Sequence, residues 1–139
     1  MRKAKSENGF EVKQLPEKAD DRAPDGSEIR LLPKLPGGGL CHCTLPPGRT
    51  SLAVAHKTVG EIWYFIQGAG QVWRKLGRRE EEVEVRSGVS LSIPVGTHFQ
   101  FRNSGGEPLC FVIVTMPPWP GKQEAMRVED RWPTSVGGL

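Results

Sequence analysis

The chain has 139 residues, a length that corresponds to one domain. Hydrophobic residues make up 37% of the sequence and charged residues 25%, which is typical of a folded globular protein and excludes an intrinsically disordered one. The formal charge is only +3, because 19 basic residues are scattered among 16 acidic ones. The sequence therefore lacks the basic stripe of a nucleic-acid-binding protein, and we expect no nucleic-acid partner.

Cysteine content and hydropathy indicate the cellular compartment. Three cysteines are too few, and odd in number, for the disulfide framework of a small secreted domain. The first ten residues contain no apolar stretch that would make a signal peptide, and the longest apolar run, residues 109–114, is far shorter than a membrane span. We predict a cytoplasmic protein with no membrane partner.

The order of polar and apolar segments predicts three regions. Residues 1–27 carry charges of both signs with little periodicity, and we predict an N-terminal arm there. Residues 28–117 contain short apolar or alternating stretches bounded by turn residues, which predict an all-β antiparallel sandwich or small barrel. Residues 118–139 are predicted to form an extended C-terminal tail, packed on an outer face through Trp119 and Trp132. The predicted strands are EIRLLP, LCHCTL, SLAVAH, EIWYFIQ, QVWRKL, EVEVRS, VSLSIP, FQFRN and LCFVIVTM.

Two spaced motifs lie within the predicted barrel. Gly48 is followed at fixed intervals by Val54, His56, Glu61 and Gly68, and the later segment from Gly88 contains Pro94, Gly96, Phe99 and Asn103. This spacing resembles the cupin superfamily, whose motifs read G-x5-H-x-H-x(3,4)-E-x6-G and G-x5-P-x-G-x2-H-x3-N. The resemblance covers about residues 45–117. It implies a small β-barrel of the jelly-roll type, and a homodimer formed by strand exchange at the sheet edge.

The resemblance also implies a divalent metal held by three His and one Glu, but this sequence departs from that pattern. Val54 occupies the first His position and Phe99 the last, while His98 comes one residue early. A shift of one residue turns a strand side chain to the opposite face, so we expect no cofactor and no family-type metal site. The alternative is a divalent first-row metal bound by His56, Glu61 and His98, if a bulge turns His98 inward.

Strand alternation predicts which side chains face the barrel interior. Counted by twos from the motif positions, the inward-facing residues form a mostly apolar, aromatic bowl typical of small-molecule pockets. The same aromatic side chains would also suit a filled core without a cavity. The predicted pocket residues are Val54, Trp63, Phe65, Phe99, Phe101 and Asn103, with His56 and Glu61 beside them.

His56 and Glu61 are the candidate catalytic residues. A carboxylate partner can orient an imidazole for general acid or base chemistry, whereas a buried His–Glu pair can also be purely structural. We predict a small-molecule-binding protein without the three-His/one-Glu metal site. The alternatives are a metal-dependent enzyme, either a dioxygenase or a sugar-type isomerase, and a structural protein with a filled barrel.

Overall fold

The computed structural model describes residues 9–23 and 25–135. It contains eleven strands and one short 3₁₀ helix in the described residues. In chain order these elements are β1 (Asp21–Arg22), β2 (Glu28–Leu35), β3 (Gly38–Leu45), β4 (Val54–His56), β5 (Gly60–Gln67), β6 (Ala69–Leu76), β7 (Arg79–Arg86), β8 (Ser90–Ile93), β9 (His98–Asn103), β10 (Leu109–Met116), the 3₁₀ helix η1 (Lys122–Glu124) and β11 (Ala125–Arg127). No helix in the described residues is long and apolar enough to cross a membrane.

The strands form two antiparallel sheets, which confirms the predicted all-β sandwich of the jelly-roll type. The six-stranded sheet has the order β1-β2-β3-β10-β5-β8, and the five-stranded sheet has the order β11-β4-β9-β6-β7. Non-consecutive strands are neighbours in both sheets, so residues far apart in sequence meet on the facing surfaces. Side chains from β4, β5 and β9 thereby point into one shared interior.

Alternating burial along β5 shows how the sequence specifies this packing. Glu61, Trp63 and Phe65 are buried, whereas Ile62 and Tyr64 are exposed on the outer face. The turn after β5 depends on Gly68, which has a φ of 85°. A Cβ atom there would lie 2.5 Å from the carbonyl oxygen of Pro108, so a larger residue would be excluded by both strain and contact.

The interior of the sandwich is aromatic. The Trp63 ring lies 4.6 Å from the Phe111 ring, and the Phe65 ring lies at the same centroid distance from Phe111. Phe101 packs edge-on against Trp63 and Phe111 at 5.4 Å and 5.3 Å. These contacts fill one end of the space between the sheets and leave the other end to the polar residues described below.

Part of the segment predicted as an N-terminal arm belongs to the six-stranded sheet. β1 pairs with β2, and the carbonyl oxygen of Asp25 accepts a hydrogen bond from the Leu52 amide at 2.8 Å. Hydrogen bonding extends further along the β2 edge, where the Leu31 amide donates to Asp20 and the Lys34 amide donates to Glu11. The described part of this segment is therefore attached to its own barrel.

The C-terminal segment contacts both sheets. β11 pairs with β4 at the edge of the five-stranded sheet, and Trp132 packs with Ala53 and Trp73 on that sheet's outer face, as the sequence suggested for Trp132. Trp119 lies elsewhere, against the ring of His56, with 5.0 Å between the ring centroids. The segment is thus extended but includes a strand, because the edge of β4 offers unpaired backbone groups.

Candidate ligand cavity

A cavity of about 110 Å³ lies between the two sheets, at the end of the interior that the aromatic cluster leaves open. Its inner walls come from β3, β4, β5, β9 and β10 and from Asp25 and Ser27, and its rim comes from β1, β2 and the segment after β10. The lining residues are Asp21, Arg22, Ala23, Asp25, Ser27, Ile29, Leu31, Cys41, Cys43, Val54, His56, Glu61, Trp63, Phe99, Phe111, Ile113, Thr115, Trp119 and Lys122.

Five of the residues singled out in the sequence line this cavity. They are Val54 and His56 of β4, Glu61 and Trp63 of β5, and Phe99 of β9. Each is buried, with a relative exposure between 1% and 6%. Val54 and Phe99 are direct antiparallel partners, so their side chains stand next to each other on one wall.

The other three predicted pocket residues do not line the cavity. Phe65 and Phe101 are fully buried in the aromatic cluster around Phe111. The side-chain amide of Asn103 donates to the carbonyl oxygens of Leu45 and Glu107 at 2.9 Å and 2.8 Å, where it holds two turns together. Strand alternation predicts the face of the sheet on which a side chain lies. It does not predict whether neighbouring side chains already fill the interior at that position.

The donor atoms present do not fit the metal centre that the resemblance implies. Val54 and Phe99 present only carbon atoms to the cavity. His98 pairs with Ala55 and lines a groove on the outer face with Trp73, away from His56 and Glu61. Among residues 9–23 and 25–135, no group of three His, Cys, Asp or Glu side chains is placed to hold a metal ion.

Glu61 is a buried carboxyl group with one strong hydrogen bond. The indole nitrogen of Trp63 donates to its Oε1 atom at 2.8 Å. Burial raises the pKa of Glu61 to about 8, and the hydrogen bond from Trp63 only partly opposes that rise. Asp25 and Glu124 raise the pKa further, since both add negative charge nearby. Glu61 is therefore largely protonated at neutral pH.

His56 is an uncharged imidazole on the opposite wall of the cavity, in the five-stranded sheet. Its Nδ1 atom lies 3.6 Å from Oε2 of Glu61, beyond hydrogen-bond distance, and has no hydrogen-bond partner among the described residues. Burial lowers the pKa of His56 to about 4, although the charge of Glu124 opposes this shift. The ring is held edge-on by Phe99 on one side and Trp119 on the other. His56 and Glu61 therefore face each other as neutral groups at pH 7.

Asp25, Ser27 and Cys43 form a second polar cluster in the cavity, which the sequence analysis did not predict. Asp25 Oδ1 accepts hydrogen bonds from the Ser27 amide at 3.0 Å and from the Ser27 hydroxyl at 2.6 Å, and the Cys43 thiol donates to the Ser27 hydroxyl at 3.1 Å. Cys41 lines the same wall, and the chain's three cysteines are free thiols. The one available signal was the spacing of Cys41 and Cys43, which places both on one face of a strand.

Comparison with known proteins agrees with this architecture. A family model described as a cupin domain matches residues 41–115, more than half of the chain. The chain belongs to the cupin family. An uncharacterized protein of Methanocaldococcus jannaschii is 32% identical over 100 residues, which are 68% of this chain and 77% of that protein.

Solved structures of other proteins share the fold. The capsular polysaccharide assembling protein CapF from Staphylococcus aureus matches with a TM-score of 0.66 and 20% identity over 86% of this chain. This cupin spans only 35% of the CapF chain. A Klebsiella pneumoniae protein with a double-stranded beta-helix domain matches with a TM-score of 0.62 and 18% identity, covering 86% of this chain and 91% of that one.

Proposed function

We propose that this cupin binds a small molecule in the cavity between its sheets, without the three-His/one-Glu metal site. The observation that carries the proposal is the wall formed by Val54 and Phe99, since these apolar side chains occupy the two motif positions where the resemblance implies histidines. The result is an apolar cavity with a few convergent polar groups, which is how small-molecule sites are usually built.

A ligand screen on wild type and a cavity-filled variant tests this proposal. We expect nuclear magnetic resonance to detect binding of small apolar and polar compounds to wild type. Val54→Phe should abolish that binding while circular dichroism shows an unchanged fold, because the added ring occupies the cavity. Binding that persists in Val54→Phe would place the ligand elsewhere and contradict the proposal.

Measurement of the metal content of the purified protein tests the alternative of a metal-dependent enzyme. After purification and dialysis, we expect less than a stoichiometric amount of any first-row metal. A stoichiometric metal that is lost in both His56→Ala and His98→Ala would overturn the proposal, because it would require His98 to turn inward from the outer face.

A second candidate function, metal-free acid–base catalysis, is favoured by the pair His56 and Glu61. A carboxyl group that is protonated at pH 7 can donate a proton, and a neutral imidazole with an unpartnered nitrogen can accept one. Exchange of carbon-bound hydrogen for deuterium in small ketones and hydroxyketones measures this activity. Exchange at the buffer rate would exclude such catalysis for those compounds.

We also propose that the protein is a homodimer. The resemblance suggested strand exchange at the sheet edge, but the chain's own residues already hydrogen-bond along the β2 edge. The outer face of the six-stranded sheet suits a second copy better, since Ile62 and Val114 are adjacent, uncharged and exposed there, with Tyr64 beside them. A symmetric dimer would bury the same face on both copies.

A further inference from the structure

The inner part of the cavity contains two carboxyl groups and, among the described residues, no lysine or arginine side chain. Asp25 and Glu61 are buried, with relative exposures of 8% and 6%. The two basic residues of the lining, Arg22 and Lys122, are exposed at the rim. The Lys122 ammonium lies 3.4 Å from Asp21, and the Arg22 guanidinium donates to the Gly26 carbonyl. The rim cations thus have partners of their own at the solvent end.

The ionisable groups nearest to the buried carboxyl and thiol groups are predominantly acidic. Burial raises the pKa of Glu61, and both Asp25 and Glu124 raise it further. Burial likewise raises the pKa of the Cys43 thiol, with additional increases from Asp25 and Glu61 and a partly opposing hydrogen bond to Ser27. Glu61 is largely protonated in the empty cavity at pH 7, and burial also raises the pKa of Asp25, so the carboxyl groups supply negative charge only when a cation enters. A bound cation stabilises the ionised carboxylate, which releases its proton to solvent, whereas an anion gains no such partner.

Aromatic rings form much of the remaining wall. Trp63, Phe99, Phe111 and Trp119 line the cavity, and Phe99 stands edge-on to Trp63 with 5.3 Å between the centroids. The negative faces of such rings attract organic cations. His56 adds a hydrogen-bond acceptor, because its Nδ1 atom is buried without a partner among the described residues. The cavity thus offers two ionisable carboxyl groups, an unpartnered imidazole nitrogen and aromatic side chains within one small volume.

We propose that the cavity binds a small organic cation, a primary ammonium group with a short apolar substituent. The ammonium group lies towards Glu61, Asp25 and His56, and the apolar part lies against the aromatic rings. The inference rests on the proposed small-molecule function and names its ligand class. An apolar cavity of about 150 Å³ binds benzene, so about 110 Å³ admits a ligand of roughly four to six non-hydrogen atoms.

Three probes with equal numbers of non-hydrogen atoms, a cation, a neutral alcohol and an anion, test whether the cavity prefers a positively charged ligand. Isopropylammonium, isopropanol and acetate are titrated separately into wild-type protein at pH 7 and constant ionic strength, and binding is followed by nuclear magnetic resonance. We expect isopropylammonium to bind at least tenfold more tightly than isopropanol, and acetate to show no binding. Glu61→Gln should weaken isopropylammonium binding at least tenfold. The matched substitution Glu84→Gln, on the exposed surface of β7, should leave it unchanged.

Each contrary outcome has a separate meaning. If isopropanol binds as tightly as isopropylammonium, or acetate binds most tightly, the cation inference is wrong and the small-molecule function stands. If none of the probes binds to wild type, the cation inference is wrong, and the ligand screen on wild type and Val54→Phe decides the small-molecule function separately. If Glu61→Gln does not fold, the comparison of the three probes on wild type still decides the question. If the folded variant binds isopropylammonium as wild type does, Glu61 does not supply the negative charge and the inference fails.

Discussion

The surrounding fold strongly raises the pKa of a single carboxyl group, that of Glu61. The side chain is buried beside Trp63, and its pKa is raised from 4.5 to about 8. The folded state therefore holds the Glu61 proton more tightly than the unfolded state does. This contribution to stability is complete below about pH 4.5 and is lost as the pH rises through about 8.

Replacement by glutamine should expose this dependence. Glutamine cannot ionise, yet its side-chain oxygen can still accept the hydrogen bond from Trp63. We expect the difference in the free energy of unfolding in urea between Glu61→Gln and wild type to shift in favour of the variant from pH 5 to pH 8.5, by up to several kcal/mol at about 1.4 kcal/mol per unit of pKa difference. Asp25 is present in both proteins, so only the part of its titration that depends on the charge of Glu61 enters the difference. A difference that stays constant with pH would contradict a protonated Glu61 in the folded protein.

Some residues of the cavity could be predicted from local sequence patterns, and others could not. Alternation is a local property, so the sequence suffices to place Glu61 and Phe99 on the inner sides of their strands. Asp25 and Trp119 reach the same cavity from segments with no periodicity, and long-range pairing alone brings them there. Whether any of these residues binds a ligand stays a prediction.

At the scale of secondary-structure elements, the C-terminal segment is held to the outer face of β9 by Gln100. This side chain is fully buried, and its amide nitrogen donates to the carbonyl oxygens of Ser51 and Trp132, both at 2.8 Å. Its oxygen accepts from the amides of Arg131 and Trp132 at 2.9 Å and 2.8 Å. Four backbone groups thus depend on one side chain.

Gln100→Met keeps a similar side-chain volume but removes all four hydrogen bonds. We expect the free energy of unfolding in urea to fall by about 2–4 kcal/mol, because the backbone groups lose their partners in a buried position. Gln123→Met, at an exposed position of η1, is the matched control and should change stability by less than about 0.5 kcal/mol. Equal effects of the two substitutions would show that Gln100 does not attach the segment.

The shortest elements were the ones that sequence patterns did not predict. β1 and β11 have two and three residues, too few to show alternation, and each exists because a neighbouring strand edge supplies its partner. Within the stretch SLAVAH, only Val54–His56 is a strand. The predicted strands QVWRKL and EVEVRS correspond to β6 and β7, which pair as a long hairpin, because their alternation is a local feature.

At the scale of the whole molecule, the proposed dimer makes a prediction about mass in solution. Light scattering coupled to size-exclusion chromatography should give twice the chain mass for wild type. Tyr64→Lys should give a monomer, because two lysines would be buried in the symmetric interface without partners. Leu76→Lys introduces the same charge at an exposed apolar position of the five-stranded sheet and should remain dimeric. A monomeric wild type would contradict the proposal.

The four tryptophans of the chain are divided between two environments. Trp63 and Trp119 line the cavity, whereas Trp73 and Trp132 pack together on the opposite side of the five-stranded sheet. Replacement of the outer two with phenylalanine would leave an intrinsic optical probe confined to the cavity wall. Quenching or a spectral shift of the remaining indole emission would then report an occupant directly, without any label attached to the protein.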